Sequence, residues 1–294
     1  MGRVLTLFVI LLAGLVGLAL WLTRPVPLSP SELPQITGDA EAGRRIFLAA
    51  GCASCHGDGG AEAQEHPLLA GGRRIETSFG TFVTPNISTD PVHGIGAYDL
   101  AGLASVLTRG VTPDGRHLYP AMPYASYARM ELQDIADLGA FLDTLPASDA
   151  DTAPHELPLA YSLRRSIGLW KLRYLDDRFV GAAPSDMVER GRYLVEALGH
   201  CAECHTPRDR FGGLDRTRWM AGTHAAGQVI APNITPAALD WEIDQIVWYL
   251  ESGHSPRGET ASREMEEVVA GIGQLPREDL EAIATYLKGL APIE

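Results

Sequence analysis

Four cysteines occur in the chain, and all of them fall in two copies of one pattern: CASCH from Cys52 to His56 and CAECH from Cys201 to His205. The second copy lies 149 residues after the first, and other residues repeat around it in the same order. Gly43 and Arg44 match Gly191 and Arg192, and TPNIST from Thr84 matches APNITP from Ala231. Tyr98, Gly110, Gly115 and Met122 match Trp241, Gly253, Gly258 and Met265 at a constant offset of 143. Asp134, Ile135, Leu138, Phe141, Leu142 and Leu145 match Asp279, Leu280, Ile283, Tyr286, Leu287 and Leu290 at an offset of 145. Offsets that drift in small steps are what loop insertions and deletions produce. The chain is therefore expected to contain two copies of one domain, at residues 37–146 and 184–294.

Each copy reads as helix, long loop, helix, loop, helix. Ile46, Leu48 and Ala49 precede the first motif near helical spacing, as Tyr193, Leu194 and Ala197 precede the second. A helix through Ile135 and Leu145 stops at Pro146, and its counterpart starts near Pro276 with an acidic first turn. Neither copy shows sustained period-two alternation, so the expected class is all-α. Residues 147–183 join the copies. They begin polar and turn amphipathic, with Leu163, Ile167, Trp170, Leu172 and Tyr174 near helical spacing, which predicts a docked bridging segment packing the two domains together.

The run from Val4 to Leu22 carries no charge and is about long enough to cross a hydrocarbon core of roughly 30 Å. Residues 1–24 are read as a membrane anchor. The alternative is a cleaved signal peptide, whose apolar core is usually shorter and followed by small residues. Either reading exports the rest of the chain. The net charge of -13 supplies no basic footprint for phosphate backbones, so nucleic acid is not an expected partner.

Cys-x-x-Cys-His on a helix lets two thiols reach the two vinyl groups of haem while the histidine becomes the proximal iron ligand. A four-cysteine zinc site would bring its pairs together across a shorter separation and leave both histidines unexplained. A thioredoxin-like pair expects a βαβ context, and disulfides between the motifs would not explain the matched histidines. The expected cofactors are two covalently bound haem c groups, held by Cys52, Cys55 and His56 and by Cys201, Cys204 and His205. Met122 lies in a loop between Pro120 and Pro123, far enough past His56 to close the other face of a haem. It is the expected sixth ligand in the first copy. Met265, at the matching place in SREMEEVV, is the candidate in the second, with Met220 and His254 as alternatives. Met130 and Met187 have no counterpart and read as packing residues. His66, His93, His117, His155 and His224 are likewise unmatched, with His117 placed near the haem edge. The recurring Pro85-Asn86 and Pro232-Asn233 pairs are expected to shape a loop over the haem, and Arg73 and Arg74 are candidate propionate partners.

TPNISTDPVHGIGAYD, GVTPDGRHLYPAMPY, LGHCAECHTPRDRFGG and EMEEVV followed by DLEAIATYLKGL resemble the multihaem cytochrome c subunits of periplasmic, membrane-bound alcohol and gluconate dehydrogenases, over roughly Asp39 to Leu290. The resemblance implies two tandem class I-type cytochrome c domains and His/Met ligation by His56 with Met122 and His205 with Met265. It also implies a single-pass protein of the bacterial inner membrane with its haem domains in the periplasm. Those subunits commonly carry three haems and a cleaved signal, whereas this chain has two motifs and an anchor-length helix. The expected function is electron transfer from a periplasmic dehydrogenase or other donor to a soluble cytochrome, oxidase or quinone, with an acidic surface that suits basic partners. The alternatives are a dihaem enzyme of the peroxidase or thiosulfate-oxidising kind with one open haem site, and a nonredox zinc-binding interaction module.

Overall fold

The structure is a computed structural model that describes residues 2–57, 65–225, 228–261 and 264–294. Met1, at the head of the anchor-length run, and Ser262 and Arg263 of the SREMEEVV stretch lie outside the described residues. Helix α1 spans Gly2–Leu22, with its apolar side chains exposed along its length. The first half of the chain then forms α2 (Ala40–Ala49), α3 (Cys52–His56), α4 (Leu100–Ala104, continued as a π-turn through Arg109), α5 (Tyr124–Tyr127) and α6 (Leu132–Leu142). The joining segment carries α7 (Leu159–Ser162) and α8 (Ser166–Tyr174). The second half forms α9 (Asp186–Tyr193, continued as a π-turn through Leu198), α10 (Ala202–His205), α11 (Ile243–Ser252), α12 (Glu264–Ile272) and α13 (Arg277–Lys288).

The described residues are mostly helical, as expected, with two short antiparallel hairpins added: β1 (Arg74–Thr77) with β2 (Gly80–Val83), and β3 (Thr223–Ala225) with β4 (Gln228–Ala231). Strands of three or four residues are too short to print an alternating pattern in the sequence.

Each half is built around a crossing of its first and last helices, α2 on α6 and α9 on α13. A methyl group on Gly43 would collide with the Asp137 carbonyl, and one on Gly191 with the Ala282 carbonyl. The matched glycines therefore set how closely each pair of helices approaches. Phe47 and Phe141 fill the first crossing with ring centroids 5.1 Å apart. Asp39 caps α2 through the amides of Glu41 and Ala42, and Ser185 caps α9 through Val188. The buried apolar side chains form one contiguous core that runs from Ile46 and Leu138 into Val195, Val247 and Ile283, so the two halves share an interior. At their seam the Tyr193 hydroxyl donates to Asp134 at 2.5 Å and accepts from the Glu131 amide at 3.0 Å.

Candidate haem sites

Both motifs sit on single helical turns, α3 and α10, that follow directly on the ends of α2 and α9. Cys52, Cys55 and Cys201 are half-buried, Cys204 is exposed, and none of the four is in a disulfide. Before haem is attached, burial pushes the thiols of Cys52 and Cys201 up to about 12.

The two histidines share one fixing contact. His56 Nδ1 donates to the Pro85 carbonyl at 2.8 Å, and His205 Nδ1 donates to the Pro232 carbonyl at 2.7 Å. Burial lowers the pKa of both rings, and each carbonyl bond opposes that shift. With Nδ1–H committed, Nε2 is the unprotonated nitrogen of a neutral ring and is the one able to bind iron. The Gly71 amide donates to the His56 carbonyl at 2.8 Å, and the Gly222 amide to the His205 carbonyl at 2.7 Å, so the backbone of each histidine is held as well. Two unbridged cysteines in one turn, beside a histidine held in this tautomer, fit covalent haem in both copies.

Sequence reasoning assigned the Pro-Asn pairs a loop-shaping role, and the asparagine half of that reading holds. Asn86 donates to the Ser148 and Ala150 carbonyls, both at 2.9 Å, and accepts from the Ser88 amide. Asn233 donates to the Ile293 carbonyl at 2.6 Å and accepts from the Thr235 amide. What residue identities could not reveal is the use of the proline carbonyl, because a backbone oxygen leaves no mark on the residue that carries it.

Met122 lies in a turn, its amide donating to the Tyr119 carbonyl and its own carbonyl accepting from the Tyr124 amide. Met265 lies in the first turn of α12, and both methionines are half-buried against the core. Of the two alternatives, Met220 is fully buried and takes the place that Leu69 occupies in the first half. The Ile234 amide bonds to Met220 as the Ile87 amide bonds to Leu69. His254 is exposed, with its Nδ1 against the Ser252 carbonyl. Met130 is core, whereas Met187 is half-exposed on α9.

The three side chains considered for the haem edge all have protein partners. Arg73 is engaged by Glu267 of the second half at 2.6 Å and by the Ser54 carbonyl. Arg74 makes a two-pronged pair with Glu156, at 2.7 and 2.6 Å. His117 is buried. Its Nε2 donates to the Thr23 carbonyl at 2.9 Å, and its Nδ1 lies 3.1 Å from Lys171 Nζ.

The two motifs are also brought together. Nε2 of His200, in the turn before the second motif, lies 3.2 Å from the carbonyl oxygen of Ala50, in the turn before the first.

This pair of sites defines a covalent-haem protein with one site in each half. A sequence profile of the cytochrome c family matches residues 40–146. The chain is 49% identical over its whole length, and over the whole of the other protein, to a dihaem cytochrome c-type protein of Cereibacter sphaeroides. It is 34% identical to the fructose dehydrogenase cytochrome subunit of Gluconobacter japonicus over 91% of this chain and 55% of that one. To the gluconate 2-dehydrogenase cytochrome c subunit of Pantoea cypripedii it is 32% identical, over 84% of this chain and 58% of that one. The chain thus spans little more than half the length of these dehydrogenase subunits. The chain belongs to the cytochrome c family as a dihaem member, carrying two covalently bound haem c groups and serving electron transfer.

Proposed function

We propose that this protein is a membrane-anchored, periplasmic dihaem relay between a dehydrogenase and the respiratory chain. Residues 37–146 and 184–294 are its two tandem cytochrome c domains, residues 147–183 bridge them, and residues 1–24 anchor them in the bacterial inner membrane. Cys52 and Cys55 hold one haem and Cys201 and Cys204 the other, with His56 and Met122, and His205 and Met265, as axial ligands. Each haem, when bound, supplies a one-electron iron couple whose potential a methionine ligand raises.

The observation that carries this reading is the duplicated histidine clamp. His56 on Pro85 and His205 on Pro232 are held alike, and each half carries a methionine seven residues after a matched glycine, Met122 after Gly115 and Met265 after Gly258. An enzyme would be expected to differ at one site in its sixth ligand. The remaining residues hold and shield: Asn86 and Asn233 brace the proline loops, and Arg73 with Glu267 closes the seam beside Cys55. The dehydrogenase partner is inferred from the names of the related subunits, and the acceptor is a soluble cytochrome, oxidase or quinone.

Absorption spectroscopy of the oxidised protein tests the reading. A methionine-to-iron charge-transfer band is expected for both haems, reduced in M122A and again in M265A. One high-spin haem that binds peroxide or cyanide readily in the unaltered protein would replace the relay by the dihaem enzyme.

A further inference from the structure

The joining segment has its polarity reversed. On α8 the buried positions are Gly168 and Lys171, the latter only 9% exposed, while Leu169 and Leu172 are each 59% exposed. Upstream, Leu159 and Leu163 are also exposed, at 89% and 65%. A helix packed on a soluble domain normally shows the opposite arrangement. The charge of the segment is equally out of keeping with the chain. From Leu159 to Tyr174 it carries Arg164, Arg165, Lys171 and Arg173 and no acidic residue, in a protein of net charge -13.

The position of the segment follows from its contacts with the end of α1. Thr23 is buried, and a methyl group on Gly168 would collide with it. Arg165 donates to the Leu20 carbonyl, and the Thr23 carbonyl accepts from His117, which in turn contacts Lys171. Lys171 Nζ donates to the Arg109 and Gly110 carbonyls, at 2.7 and 2.6 Å. The inward lysine is therefore part of a joint that seats the end of α1 in the first half. The 21 residues of α1 give about 32 Å of helix, roughly one hydrocarbon thickness. Once α1 spans a bilayer, its last turn lies at the boundary between acyl chains and headgroups, and Arg165 and Gly168 lie there with it. Arg24 stacks on Trp21 with 4.6 Å to the ring centroid, an aromatic-cation pair of the kind found at that boundary.

We propose that the 159–174 segment is a second membrane contact that lies on the bilayer surface. Its leucines enter the acyl boundary and the exposed Arg173 meets anionic headgroups. This rests on the anchor reading given above, which places α1 across the bilayer. Its consequence is orientational: two points of attachment hold the haem-bearing halves in one pose on the membrane, where a single tether would let them swing.

The test uses the full-length, haem-loaded protein in nanodiscs of phosphatidylethanolamine and phosphatidylglycerol, doped with a phospholipid carrying a diazirine in the acyl chain near the headgroup. After irradiation, lipid adducts are mapped by peptide mass spectrometry. Adducts are expected both in α1 and in the 159–174 peptide. In L169Q/L172Q the α1 adducts and the haem spectrum should persist while the 159–174 adducts are lost. Adducts confined to α1 in the unaltered protein would overturn the surface contact and leave the anchor standing. Absence of adducts from α1 would overturn the anchor reading and the surface contact with it. Absence of adducts from 159–174 together with a two-copy mass of the protein in the nanodisc would assign the leucines to a protein interface and overturn the proposal.

Discussion

His200 Nε2 lies 3.2 Å from the carbonyl oxygen of Ala50, which ties the turn before one Cys-x-x-Cys-His motif to the turn before the other. The same oxygen accepts from the Tyr127 hydroxyl at 3.0 Å, and the Tyr127 and His200 rings meet edge to face at 5.6 Å. His200 is the residue by which GRYLVEALGHC exceeds GRRIFLAAGC, and it adopts a left-handed backbone with φ of 37°. That conformation is unfavourable for a non-glycine residue and is held here by contacts with the opposite half.

Two donors on one buried oxygen predict non-additive losses. H200A and Y127F should each destabilise the protein by about 1 kcal/mol, since the other donor still serves Ala50. The double variant should lose more than the sum, because the carbonyl is then unpaired. Chemical unfolding of the four proteins in the cycle measures the difference, and strict additivity would count against the shared acceptor.

The helix crossings predict matched sensitivity at two distant glycines. G43A and G191A each push a methyl group into a carbonyl of the partner helix, so each should destabilise by about 1–3 kcal/mol or more. Alanine ordinarily stabilises a helix relative to glycine, so an increase in melting temperature in either variant would reject the close approach.

The asparagine braces predict effects that reach the histidines. N86A removes both donors to the Ser148 and Ala150 carbonyls and the acceptor of the Ser88 amide, with an expected loss of about 1–3 kcal/mol. Loosening of the adjoining Pro85 carbonyl should shift one of the two reduction potentials, and N233A should shift the other. Redox titration of each variant distinguishes this from a general loss of stability, which would leave both potentials in place.

The joint at the end of α1 predicts a pH response. Burial lowers the Lys171 pKa from its ordinary 10.5 to about 7. Between those values the unfolded chain holds a proton that the folded chain lacks, so unfolding free energy should rise with pH across that window. Below about 7 the folded lysine is protonated as well, and this dependence ends. K171M should flatten the rise, which thermal unfolding at pH 7, 8.5 and 10 would register.

The sequence was sufficient for everything that depends on residue type repeated at a fixed distance. The two haem motifs, the matched glycines at 43 and 191 and the anchor-length helix are of this kind, because each is a covalent or helical requirement met by neighbours in the chain. Contacts between the halves have no such signature. Asp134 and Asp279 are matched in sequence, yet Asp279 pairs with Arg190 of its own half while Asp134 accepts from Tyr193 of the other. His200 meets Ala50 with no repeat to announce it. The short hairpins, the proline carbonyls that hold His56 and His205, and the outward leucines of α8 were equally settled by tertiary structure. Backbone hydrogen bonds carry no residue identity, and the i, i+3 spacing that puts Leu169 and Leu172 on one face of α8 does not say which side meets the protein.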